Sequence, residues 1–140
     1  MFFCKNKVYL VGNFEPFQIQ ALEKHNELRA LHKDTGPLTL DEGLCNDAQK
    51  WAEYLTSRRV MEHDPVCQTD TKPQSENIWY KQGTPGYVQH TPESALEATK
   101  SWYDEINVYN WYGTDNNQMC NDPCQTVNHF TQVLVTFHTF

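Results

Sequence analysis

The chain has 140 residues, 39% of them hydrophobic and 13% aromatic, with a formal net charge of -7, which is the size and composition of one folded domain rather than a disordered polypeptide. The acidity, with no basic stripe to offset it, argues against nucleic acid as a partner. No apolar run approaches the roughly 20 residues of a membrane span, so no transmembrane segment is expected.

Taken in order, the N-terminal Met1-Phe2-Phe3-Cys4 is apolar, but Lys5, Asn6 and Lys7 interrupt it before a signal-peptide core forms. Phe2 stands where N-myristoylation requires glycine. As written, the sequence predicts no secretion signal. Val8, Tyr9, Leu10 and Val11, closed by Gly12-Asn13, predict a short strand within an extension over residues 1–15. The domain proper is expected over residues 16–140.

Pro16 suits a first helical turn, and Phe17, Ala21, Leu22, Leu28 and Leu31 recur at near-helical spacing until Lys33-Asp34-Thr35-Gly36-Pro37 breaks the pattern. A second helix is predicted behind Asp41 as cap, with Leu44, Ala48, Trp51, Ala52 and Leu55 forming a core stripe. From Met61 to Gln89 helical periodicity disappears, leaving a long loop with Pro65, Pro73, Gly83, Pro85 and Gly86; loops of that length are usually functional or mobile. It carries His63 and Glu76. A third helix has Thr91 as cap, Pro92 at its first position, and Ala95, Thr99, Trp102, Ile106 and Tyr109 on one stripe, with Glu105 at the border of the buried face.

The most strand-like segment runs from His129 to Phe137. His129, Thr131, Val133, Val135 and Phe137 fall on one side and Phe130, Gln132, Leu134 and Thr136 on the other, the two-residue period of a pleated strand. A histidine at such a strand end could serve as ligand or general base, or be simply hydrogen-bonded. A lone strand here leaves apolar edges unpaired, which predicts a protein of poor stability.

The five cysteines, Cys4, Cys45, Cys67, Cys120 and Cys124, leave at least one outside any internal pairing, and their spacing fits no common zinc pattern. For Cys120 and Cys124 a disulfide, a metal clip and two inert thiols all stay open.

Five motifs occur in an informative order: His25-Asn26-Glu27-Leu28-Arg29, Ala48-Gln49-Lys50-Trp51-Ala52, Ser75-Glu76-Asn77-Ile78-Trp79, Trp102-Tyr103-Asp104-Glu105-Ile106 and His129-Phe130-Thr131-Gln132-Val133. Together they resemble the CAP superfamily, the cysteine-rich secretory, antigen 5 and pathogenesis-related proteins, also called SCP or venom-allergen-like proteins. The resemblance covers roughly Phe17 to Val135 and looks nearest to the Golgi-associated intracellular branch. It implies an α+β fold, an α-β-α sandwich around an antiparallel sheet, with a cleft lined by two histidines and two glutamates. Carried over residue by residue, that tetrad falls on His63, Glu76, Glu105 and His129, which also form a reasonable shell for a divalent cation, zinc above all. Ser75 stands where the family motif usually has glycine. Members continue past the His-Phe-Thr segment into two further strands that this sequence lacks, so the sheet is expected to be incomplete, as from a truncation at the C-terminal end.

The resemblance implies a non-enzymatic module that binds lipid, sterol or a membrane surface, at a Golgi-peripheral location. The acidic charge opposes anionic lipid, and the basic grouping that could offset it is Lys24, Arg29, Lys33, Arg58 and Arg59. The competing readings are a secreted, allergen-like or immunomodulatory protein in the extracellular region, recognising a protein partner, and a His/Glu-dependent hydrolase. The hydrolase needs a nucleophile, and the nearest candidates are Ser75, Cys67 and Thr131, none in a nucleophile-elbow pattern.

Overall fold

The computed structural model describes residues 14–68, 75–81, 91–109 and 128–134. Helix α1 spans Pro16–Arg29. Proline at its first position forfeits no hydrogen bond, because that N–H has no partner within a helix, and the Gln18 side chain accepts the Glu15 N–H at 2.9 Å. Its buried face is Ala21, His25, Leu28 and Arg29, and this face packs chiefly on α3. Leu31, expected on that stripe, lies beyond the helix end and is exposed.

Helix α2, Glu42–Arg58, begins where Asp41 Oδ1 accepts the Leu44 N–H at 2.9 Å and ends at Arg59, whose φ of 54° reverses the backbone. The predicted stripe is helical, but Leu44 is its one buried member among the described residues. Among those residues α2 packs on no other helix. Trp51 stacks on Tyr54 with ring centroids 4.7 Å apart and donates its indole N–H to the Glu62 carbonyl at 3.1 Å, tying α2 to the loop that follows it.

Helix α3, Pro92–Tyr103, starts as its residues predict, with Thr91 Oγ1 accepting the Ser94 N–H at 3.2 Å and Ser94 Oγ accepting the Thr91 N–H at 3.1 Å. Ala95, Ala98, Thr99 and Trp102 are its buried face, and it tightens into a 3-10 turn at Asp104–Val108. That change of winding ends the helical stripe at Trp102. Helix α4, Asn128–Leu134, packs on α3 and buries Phe130 and Val133. Ala98, Trp102 and Val133 form a core cluster, with Trp79, Tyr103 and Leu134 packed against it.

The expected α-β-α sandwich is not what this structure shows. Among the described residues there is no strand, and the β-type pairing is limited to single bridge residues at Thr39 and Tyr109. The segment read as a strand from His129 is helix α4 as far as it is described. Its apolar residues Phe130, Val133 and Leu134 lie at i, i+3 and i+4, so a short run that alternates also presents one helical face. Tertiary contacts decide between the two. At the N-terminal end Glu105 Oε2 accepts the Phe130 N–H at 3.0 Å, and at the other end Arg29 Nη1 donates to the Val133 carbonyl at 2.8 Å. A carboxylate at the start and a guanidinium at the end both oppose the helix dipole. The strand expected at Val8–Val11 and the Cys120–Cys124 segment lie outside the described residues. Over 128–134 the backbone is helical, so the unpaired strand edge expected from residue 129 onward is absent there.

Arg29 is the member of the supposed basic grouping that the fold removes from the surface. It is 1% exposed, and besides Val133 it gives Nε and Nη2 to the Gly36 carbonyl at 2.8 and 2.6 Å. Nearby Asn26 clasps Leu38 with both ends of its amide, accepting the N–H at 2.7 Å and donating to the carbonyl at 3.0 Å. His25 is buried between α1 and α3, where Nδ1 donates to the Ala21 carbonyl at 2.8 Å and Thr99 Oγ1 lies 3.3 Å away. His25, Asn26, Leu28 and Arg29 of the first motif thus fasten the interior, while Glu27 is exposed.

Candidate functional site

The four residues of the expected tetrad come from four places: His63 from the loop after α2, Glu76 from the segment 75–81, Glu105 from the 3-10 turn after α3, and His129 from the first turn of α4. The structure brings them together as two pairs. His63 Nδ1 lies 2.5 Å from Glu76 Oε1, and His129 Nδ1 lies 2.7 Å from Glu105 Oε1.

Each glutamate makes the same grip. Glu76 Oε1 also accepts the backbone N–H of Asp64 at 3.1 Å, and Glu105 Oε2 accepts that of Phe130 at 3.0 Å. In both cases one carboxylate holds a histidine ring and the N–H of the residue after it. Because an ionised carboxylate only accepts, Nδ1 of each ring carries the hydrogen and Nε2 is the nitrogen left over. The carboxylates sit deeper than the rings: the Glu76 side chain is 4% exposed against 51% for His63, and Glu105 is 18% exposed against 34% for His129. The imidazoles therefore form the outward surface of both pairs.

The segment 75–81 joins the pairs by sending successive side chains to opposite sides. Glu76 turns to the His63 loop, whereas Asn77 donates its amide to the His129 carbonyl at 3.1 Å and Trp79 packs against the Ala98–Trp102–Val133 cluster. The Trp102 indole N–H reaches the Ile78 carbonyl at 3.4 Å, and its ring lies roughly parallel to His129, 6.5 Å between centroids. Sequence reading singled out Glu76 and passed over Asn77, although the two are adjacent in the same motif.

A four-ligand metal shell is not the arrangement seen: among the described residues no group of three or more His, Cys, Asp or Glu is placed to hold a metal ion. What the pairs do supply is two imidazoles oriented through Nδ1, the way a metal-binding histidine is ordinarily held by a carboxylate behind it. Of the nucleophile candidates, burial and the nearby Glu76 and Asp64 push the Cys67 thiol up to about 11, so it stays protonated at neutral pH. Thr131 gives its hydroxyl hydrogen to the Asn128 carbonyl at 2.9 Å.

The stretches that carry the His63 pair also hold exposed apolar residues, among exposed charged ones such as Arg59, Glu62 and Lys81. Val60, Met61 and Val66 on its own loop, and Tyr80 beyond Glu76, are all exposed. Single exposed apolar residues are ordinary, but here they collect on the stretches that carry His63 and Glu76.

Comparison with known proteins matches the profile of the cysteine-rich secretory protein family, CAP, to residues 22–136. The chain belongs to this family. It is 30% identical over 118 residues to Protein PRY2 of Saccharomyces cerevisiae, an alignment covering 84% of this chain and 29% of the relative. It is also 32% identical over 95 residues to the human Golgi-associated plant pathogenesis-related protein 1, covering 68% of this chain and 54% of that protein. The chain therefore spans about half or less of the length of these curated relatives. No solved structure matches it significantly.

Proposed function

We propose that this CAP protein is a non-enzymatic binding module whose ligand is a lipid or sterol, taken up or contacted where the His63–Glu76 pair meets exposed apolar surface. The observation that carries the reading is that Val60, Met61, Val66 and Tyr80 are exposed on the stretches that carry His63 and Glu76, whose Nδ1 and carboxylate are bonded to each other. A polar pair tied through Nδ1, with one imidazole nitrogen left for a ligand and apolar side chains on the same stretches, suits a ligand that is mostly hydrocarbon with a small polar head, since burial of apolar area provides the driving force and a few polar groups fix orientation. The protonated state of Cys67 favours binding over covalent catalysis.

A divalent cation belongs to the same proposal. Nε2 of His63 and His129 would hold it, with Glu76 and Glu105 behind the rings as orienting groups rather than as ligands, and the cation would supply a Lewis-acidic anchor for a polar head. No helix among the described residues is long and apolar enough to cross a membrane. The name of the human relative sets that protein at the Golgi, and a Golgi-peripheral location is our proposal for this protein too.

The test is co-sedimentation with neutral phosphatidylcholine vesicles, with and without sterol, and with vesicles containing phosphatidylserine. Binding to the sterol-containing or neutral vesicles that weakens in a Met61→Ser, Val66→Ser variant is expected. No sedimentation with any vesicle, or binding indifferent to those substitutions, would remove the lipid reading.

A further inference from the structure

Asn77 follows Glu76 directly, is buried, and reaches across 52 positions to the backbone of His129. His129 is the second residue of α4, so its carbonyl has one lone pair for the helix and a second for another donor. The Asn77 amide takes that second place. Residue 129 is thus gripped twice, with its ring held by Glu105 and its carbonyl by Asn77. A helix of seven residues has little stability of its own, so its orientation follows from such outside contacts. Glu105 holds the first turn of α4 and Arg29 holds its Val133 end. Asn77 adds a bond at the His129 carbonyl and is covalently joined to Glu76, which holds the His63 ring.

We propose that Asn77 is a positioning residue that sets the spacing of the two imidazoles, through the path His63–Glu76–Asn77–His129. This rests on the reading that His63 and His129 serve one site. Asn77 itself touches neither ring: it works on the backbone of one pair and through its peptide link to the other. Trp79, two residues on, packs against the Ala98–Trp102–Val133 cluster, which draws residues from α3 and α4, and adds an apolar link to the same region. The Asn77 contact is the polar, directional part of that junction, and it fixes register where packing alone permits sliding.

The experiment uses the full-length protein and two variants, Asn77→Ala and the isosteric Asn77→Asp, which sets a second acceptor against the His129 carbonyl. Long-range proton–nitrogen spectra follow both histidine rings, and calorimetry measures zinc binding. Both variants are expected to move the His129 ring resonances while leaving those of His63 in place, and to weaken zinc about 10- to 100-fold, the usual effect of losing a group that orients a ligand. A merely structural role lowers the melting temperature but leaves the ring resonances of the folded protein unmoved. If the folded Asn77→Asp protein keeps the wild-type His129 resonances, or if both rings move equally, the proposal is overturned. Should the Ala variant not fold, the Asp variant decides by the same spectra. If wild-type protein does not bind zinc, the cation part of the functional reading fails, while the ring spectra still decide the role of Asn77.

Discussion

Replacing Arg29 with methionine tests the central packing argument. Methionine keeps the aliphatic length of the side chain and removes all its donors. Among the described residues those donors make bonds of 2.8, 2.6 and 2.8 Å to the carbonyls of Gly36 and Val133. With the guanidinium gone the exposed Gly36 carbonyl can turn to water, but the buried Val133 carbonyl loses its donor. An unsatisfied buried polar group costs about 1–3 kcal/mol. For a domain of this size each kcal/mol lowers the melting temperature by about 4 °C, which places the expected loss at about 4–12 °C. Arg29→Lys recovers only part of it, because an ammonium is a point donor and cannot span two carbonyls as a fork does. The assay is circular-dichroism melting with urea unfolding at 25 °C as a check on two-state behaviour. If Arg29→Met melts within about 2 °C of wild type, the carbonyls have other partners or water, and the claim that Arg29 secures α4 is wrong.

Burial is the leading cause that lowers His25 to about 4, so the unfolded polypeptide takes up a proton that the folded one refuses. A His pKa depressed on folding gives stability that is complete above about 6.5 and lost as pH falls from there toward 4; between pH 7 and pH 5 the loss is about 2 kcal/mol. Urea unfolding at the two pH values should show this difference in wild type and a smaller one in His25→Gln, which keeps a donor for the Ala21 carbonyl; an equal difference in both proteins would refute it. For zinc, a thermal-shift titration should show an increment worth about 2.7 kcal/mol at a hundred times the dissociation constant. It should be smaller at pH 5.5 than at pH 7.5, because a protonated imidazole has no lone pair to give, and absent from the His63→Ala, His129→Ala double variant. An undiminished shift in that variant would mean the cation sits elsewhere.

What the sequence disclosed were the features that depend on near neighbours. Pro16, Asp41 and the Thr91-Pro92 pair each act within one helical turn, and all three helix starts are where those residues predict. The tetrad residues were legible through the family motifs, because a motif preserves residue types without showing how they meet. Their pairing was not legible: no spacing rule says that Glu76 grips His63-Asp64 and Glu105 grips His129-Phe130. The strand expected from His129 to Phe137 is helix over its described part, 129–134, for a definite reason. Val133, Phe130 and Leu134 satisfy both periods, and the groups that favour the helix, Arg29 and Glu105, are remote in sequence. Asn77 was missed for a similar reason, since an asparagine beside a glutamate looks like loop chemistry until its partner is seen.

The bond from Arg29 to Val133 also bears on how the protein is made. Its two ends are separated by 104 positions, and at a synthesis rate of about 5–20 residues per second that interval lasts about 5–20 s. Through all of it the guanidinium has no Val133 to meet, and α1 must wait in the presence of α2 and then α3, to which it docks first. Of the described helices, the last to emerge is thus the one that closes the interior, and the second histidine of the site reaches its place only in that closing step.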